Sequence, residues 1–91
     1  MNSDEIRSRV RSFIDENFLY MRPDFTLGDD DSLMGNGIVD SMGVMEMIEF
    51  LESEFGVAVD DTDITEANIG SLNAIAAYVS SHAAEGDRQI A

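Results

Sequence analysis

The stretch GIVDSMGVMEMIEFLESEF, Gly37 to Phe55, is the one on which the fold turns. Read as a helix starting near Ser41, it sets Val44, Met47, Ile48, Leu51 and Phe55 at spacings of three, four and seven, which is a single apolar face. That face has to be buried, so the other segments must supply the surface that covers it. Met42 and Met45 fall well off the face, on the side shared by Ser41, Glu49 and Glu52, so a second stripe of Met and Glu runs away from Ser41. Single exposed methionines are common on small proteins. Methionine is also over-used on surfaces that must fit several partners.

At the head of this helix Asp40 is a good N-cap, able to accept a bond from an orphan amide of the first turn, typically worth ~1 kcal/mol. With Asp40 as cap, Ser41 is the first helical residue and its hydroxyl points outward. The alternative is that Ser41 is itself the cap and nothing more. Gly43 and Val44 stand where the Glu or Gln of a capping box would be, so that motif is absent.

Working outward, Ser3 to about Tyr20 reads as a first helix with Ile6, Val10, Phe13, Ile14 and Phe18 as its apolar stripe. Arg7, Arg11, Asp15 and Glu16 face out, and Arg11 and Asp15 are spaced for an i,i+4 pair. Met21 to Asp40 is a long connection with Pro23 and three glycines. A connection of that length in a small domain implies a packed or functional loop. Phe25, Leu27, Leu33, Ile38 and Val39 are apolar enough to lie against the helices, and Gly35-Asn36-Gly37 supplies a tight turn before Ser41. Beyond Gly56, a suitable stop, Val57 and Val59 alternate with Ala58 and Asp60 but have no partner strand, so an extended linker is expected. Thr65 to about Ile69 is a short helix, with Thr65 as cap, Glu66 in its first turn and Gly70 as stop. Ser71 then caps a last helix with Leu72, Ile75, Ala76 and Val79 on one face. The expectation is an all-α, four-helix bundle, three helices long and one short, with a long ordered loop between the first two. Residues 1–83 form the domain and 84–91 a flexible tail.

Composition narrows the function classes. The 91 residues carry a formal charge of −14, from five arginines, no lysine and nineteen carboxylates. Nucleic acid is repelled, because binding it needs basic residues to displace counterions. Basic protein surfaces are attracted, and the same charge favours a soluble monomer. There is no cysteine, so disulfides and thiolate metal sites are excluded, and thioesters can be held only on a borrowed thiol. The opening MNSDEIRSRV lacks the apolar run of a signal peptide and no stretch approaches the ~18 apolar residues of a membrane span, so a cytoplasmic location is expected. Asp29-Asp30-Asp31 and Asp60-Asp61-Thr62-Asp63 lack the Gly and Glu spacing of an EF-hand, leaving at most loose, millimolar divalent binding and no metal site proper. His82 is the only imidazole, expected on the solvated surface rather than beside Ser41 as a hydrolase base. No catalytic residue is assigned.

Gly-Ile-Val-Asp-Ser-Met at 37–42, followed by the acidic amphipathic helix, resembles the modification site of acyl carrier and peptidyl carrier proteins. The likeness continues through FGVAVDDTDITEANIGSLNAIAAYV, residues 55–79. Carried over, Ser41 matches the serine that receives a 4′-phosphopantetheine arm and Asp40 the acidic residue before it. Met42 stands where the family usually has Leu. The resemblance implies a non-catalytic carrier that holds acyl or aminoacyl groups as thioesters on the arm's thiol. It also implies three kinds of partner: a phosphopantetheinyl transferase, an acyl- or aminoacyl-loading ligase, and downstream transferases with basic docking surfaces. Met42 and Met45 would then offer adaptable apolar contact, and Glu46, Glu49 and Glu52 charges for a partner's Arg or Lys. The spacing from Val59 to Leu72 looks more like stand-alone peptidyl, aminoacyl or D-alanyl carriers than the fatty-acid type. The competing reading is an acidic helical adaptor that binds a basic protein without any prosthetic group.

At Ser41 the helix dipole would favour a phosphodiester by only ~0.3 to 1 kcal/mol, while Asp40 at ~4 Å in water would oppose it by ~1 kcal/mol. Local charge permits the modification without driving it.

Overall fold

The computed structural model describes residues 2–90, with side chains as far as His82. Four α-helices are present among the described residues: α1 (Ser3–Asn17), α2 (Ser41–Phe55), α3 (Glu66–Ile69) and α4 (Leu72–Ile90). A single 3₁₀ turn, Asp61–Asp63, precedes α3 and was not foreseen from the sequence. The expected bundle of three longer helices and one short one is therefore what the chain forms. The tail expected at 84–91 falls on residues whose side chains lie outside the described set.

Helix α1 begins behind Asn2, whose side chain accepts from the Glu5 N–H at 2.8 Å. It ends at Asn17, three residues short of the expected Tyr20. Both the Phe18 and Leu19 N–H groups donate to the Ile14 carbonyl, at 2.8 and 3.1 Å, and the chain turns away. A continued helix would carry Leu19 about 140° round from Ile14; leaving the helix buries it to 5% exposure. Phe13 stacks on Phe50 at 4.2 Å between centroids and meets Phe18 edge-on, while Phe55 meets Phe50 edge-on. This aromatic row joins α1 to α2, and it leaves Phe55 half-buried where the periodicity implied full burial.

Helix α2 keeps its expected bounds. Val44, Met47, Ile48 and Leu51 are buried, and Gly56 closes the helix at φ 69°, the left-handed stop that glycine takes without strain. The residues between Gly56 and the 3₁₀ turn form no strand. Thr65 caps α3 through the Asn68 N–H, and the Ser71 hydroxyl caps α4 by accepting from the Ala74 N–H at 3.1 Å. α4 is the spine, packed most extensively on α1, then on α3 and α2.

The long connection is ordered by named bonds. Leu33 donates its N–H to the Gly70 carbonyl at 2.8 Å, and its own carbonyl accepts from Ile38 and Val39 at 2.9 and 3.1 Å. Leu27, Leu33, Ile38 and Val39 are buried, as expected. Arg11 does not pair with Asp15: its guanidinium reaches across to the Leu27 carbonyl and to Asp29, both at 2.6 Å. Bonding a backbone carbonyl and a carboxylate together outweighs an exposed i,i+4 pair worth only a few tenths of a kcal/mol. Arg7 likewise turns from solvent to the Asn73 side chain. The Asp29-Asp30-Asp31 run is divided among separate donors, with Asp30 taken by the Asn73 amide and Asp31 by the Gly28 N–H. Among the described residues no group of three metal-binding side chains converges.

Leu33→Ala is expected to lower unfolding free energy by about 2 to 5 kcal/mol, the range for emptying a buried leucine site. Urea titration checks this; a loss under ~0.5 kcal/mol would mean that the loop contributes no core.

Candidate functional site

The approach to Ser41 is built from the loop upward. Gly37 sits at φ 68° and donates its N–H to the Met34 carbonyl at 3.0 Å, a turn that a residue with a Cβ would strain. Ile38 and Val39 then drop into the core, leaving Asp40 and Ser41 on the surface. Asp40 is the N-cap: its Oδ1 accepts from the Gly43 N–H and its carbonyl from the Val44 N–H, both at 2.8 Å. Ser41 is consequently the first residue of α2, exposed, and among the described residues nothing hydrogen-bonds its hydroxyl. The Ser41 and Met42 N–H groups are likewise free there, so the positive end of the helix faces outward beside Oγ.

Gly43, which the sequence marks only by its place inside a helix, has a packing role. A Cβ there would lie 2.9 Å from the Phe18 ring, 3.2 Å from Val39 and 3.3 Å from Asp40. The end of α1 therefore packs directly on the first turn of α2, and only glycine leaves room. A glycine inside a helix costs about 1 kcal/mol against alanine, and that expense was the legible cue.

Met42 and Met45 are 78% and 53% exposed, as the periodicity implied. Glu46 and Glu49 are exposed beside them, with no ion pair among the described residues. Glu52 differs: its Oε2 accepts from the Val59 N–H at 3.0 Å and ties the linker to α2. The structure adds Met34, half-exposed just before the Gly35-Asn36-Gly37 turn. It borders an apolar pocket of roughly 60 Å³ shared with Leu33, Val39, Val44, Met47 and Ile69. Ile48, unlike Met47, does not line it.

His82 is not the solvated residue expected. Its ring stacks on Tyr78 at 3.8 Å between centroids, its Nδ1 donates to the Tyr78 carbonyl at 2.9 Å, and its Nε2 lies 3.8 Å from Asp63. It is thus committed to the junction of α4 with the 3₁₀ turn, not to Ser41. Tyr78 donates its hydroxyl to Asp63 at 2.9 Å. Burial, and then the bond to Asp63 and its charge, push the Tyr78 phenol up to about 12.

The family model described as "Phosphopantetheine attachment site" matches residues 16–79. That span is well over half of the chain, and the chain belongs to this family. The family carries 4′-phosphopantetheine covalently on a serine, and its carrier domains are generally non-catalytic and are modified by transferases. Among the described residues no helix is long and apolar enough to cross a membrane.

The pH dependence of Tyr78 follows by linkage. The folded chain holds the phenol proton up to about pH 12, whereas the unfolded chain releases it near pH 10, so the stabilisation is complete below pH 10 and is lost as pH rises to 12. Thermal melts from pH 9 to 12 should fall in the parent and fall less steeply in Tyr78→Phe; parallel profiles would show that this hydroxyl does not couple to folding.

Proposed function

We propose that Ser41 is the attachment point of the arm and that the chain presents short acyl or aminoacyl groups to visiting enzymes. One observation carries the assignment: the Ser41 hydroxyl is exposed and uncommitted at a helix N-terminus. The matched span contains three other serines, Ser32, Ser53 and Ser71. The Ser32 hydroxyl donates to Glu66 and accepts from the Gly35 N–H, and the Ser71 hydroxyl caps α4. Ser53 lies in the last turns of α2, away from free backbone amides. Ser41 alone combines a free hydroxyl with unpaired N–H groups that favour an anion.

The surroundings fit the group. When attached, the arm supplies a terminal thiol that carries the cargo as a thioester, which a chain without cysteine cannot supply itself. This chain's residues hold and orient. Asp40 fixes the first turn, Gly43 lets α1 brace it, and Ser41 offers its oxygen to phosphorus. As that Oγ–P bond forms, the diphosphate P–O bond of coenzyme A breaks and adenosine 3′,5′-bisphosphate leaves, while the Ser41 proton passes to a base on the transferase; Asp40 Oδ1 is occupied by Gly43 and His82 is held at Asp63. Met42 and Met45 give a partner adaptable apolar contact, and Glu46 and Glu49 give it charge. Glu52 contributes less, being tied to Val59.

The pocket limits the size of the cargo. An apolar cavity of roughly 150 Å³ admits a benzene, while the space beside Met34 and Met47 is about 60 Å³. A long fatty chain would require α2 and α3 to part, whereas an amino acid or short acyl group needs no such room. In this reading the chain is a cytoplasmic monomer, loaded by a ligase and unloaded by transferases with basic surfaces. The armless adaptor has no observation of its own to favour it.

Incubation with a phosphopantetheinyl transferase and coenzyme A, followed by intact mass, tests the assignment. The chain should gain one pantetheinyl phosphate, and Ser41→Ala none. Met45→Ala should gain it more slowly at a stability within ~0.5 kcal/mol of the parent. An unmodified parent, or a modified Ser41→Ala, would overturn the reading.

A further inference from the structure

Among the described residues, Arg22 is the cation that internal bonding leaves over. Arg7 pairs with Asp4, Arg9 with Glu5 and Glu54, and Arg11 with Asp29. Arg22 has no carboxylate at ion-pair distance among the described residues. Its Nη1 donates to the Asn36 carbonyl at 3.3 Å, and its guanidinium lies 4.6 Å over the centre of the Phe25 ring. In a chain with nineteen carboxylates and five arginines, an uncompensated and exposed guanidinium stands out. Immediately before it, Tyr20 and Met21 are 68% and 76% exposed, an apolar pair as open as Met42. Leu19, Tyr20, Arg22, Pro23 and Phe25 line a shallow cleft there. Asp15 lines it as well, so an incoming anion has to sit against Arg22 rather than along the whole cleft.

This patch is within reach of whatever acts on Ser41. A standard interface buries about 800 Å² on each partner, a disc of roughly 16 Å radius. Asn36, to which Arg22 is bonded, is five residues from Ser41, at most roughly 18 Å even if fully extended. The intervening chain is far from extended, because the Ile38 and Val39 N–H groups both fold back to the Leu33 carbonyl. A standard footprint placed over Ser41 can therefore extend to Arg22.

We propose that the transferase which modifies Ser41 also docks on this patch, setting an apolar side chain against Tyr20 and Met21 and a carboxylate against Arg22. The proposal rests on Ser41 being the attachment point. Its physical value is register. A basic surface sliding along Glu46 and Glu49 finds several poses of similar energy, and a single site of opposite sign penalises those that bring a basic residue to Arg22.

The test uses the full chain, a purified phosphopantetheinyl transferase and coenzyme A, with initial rates read at several ionic strengths. Arg22→Gln should lower kcat/KM roughly tenfold with kcat little changed, and Arg22→Lys should restore most of it. Tyr20→Ser with Met21→Ser should lower kcat/KM similarly, which keeps the test open if the Arg22 variant folds poorly. Ser12→Asp, on the exposed side of α1, changes net charge by the same amount as Arg22→Gln and should leave kcat/KM within about twofold, as expected of a charge outside the contact. Parent rates in both patch variants would overturn the proposal, as would an equal loss in Ser12→Asp, since only net charge would then matter. Failure of the parent to take up any arm would instead overturn the assignment of Ser41, and this proposal with it.

Discussion

Leu33 is held at three points, and the availability of Ser41 depends on them. Its N–H is bonded to Gly70 beside α3, its carbonyl gathers the N–H groups of Ile38 and Val39, and its side chain is fully buried. Fixing each loop residue costs on the order of 1 to 2 kcal/mol of backbone entropy, so a connection this long stays ordered only by burying apolar surface of its own. Leu27, Leu33, Ile38 and Val39 do so, and the loop is in effect a layer of the core. The turn at Gly37 then delivers Asp40 to cap α2, and the following hydroxyl is left facing water. The same clamp draws α3 close to the loop, which is why the pocket between them is small.

Charge is arranged in two registers. Arginines of α1 are spent internally, on Glu54, on Asp29 and the Leu27 carbonyl, and on Asn73, and they hold the bundle and its loop together. The glutamates at 46 and 49 are left facing solvent with Met42 and Met45. At Ser41 itself the helix end and Asp40 nearly offset each other, so under the proposed attachment at Ser41 the surface around the serine is what selects an enzyme. That surface mixes anions with flexible apolar side chains, a combination suited to several basic partners in turn.

Much of this was legible because it is local. Asp40, Gly56, Thr65, Gly70 and Ser71 are cap and stop residues whose chemistry acts within one turn, and the structure uses each as read. The apolar face of α2 and the exposure of Met42 and Met45 follow from the helical period alone. What was not legible depends on partners distant in sequence. The early end of α1 reflects the burial of Leu19, Arg11 abandons Asp15 for a loop eighteen residues away, and Glu52 is diverted to Val59. His82 reads as a solvated residue because nothing in its neighbourhood announces Asp63. Met34 carries no such cue, because it precedes a turn and no period marks which loop side chains turn out.

The most direct trial of Ser41 as the point of attachment is to locate the arm rather than to weigh it. Peptide fragmentation of the modified chain should place all of the added mass on Ser41, the one hydroxyl in the matched span that stands free beside unpaired helix amides. Added mass on Ser32, Ser53 or Ser71 would contradict the account, because it would mean that a hydroxyl committed to internal bonding, or one remote from a helix start, is the true point of attachment.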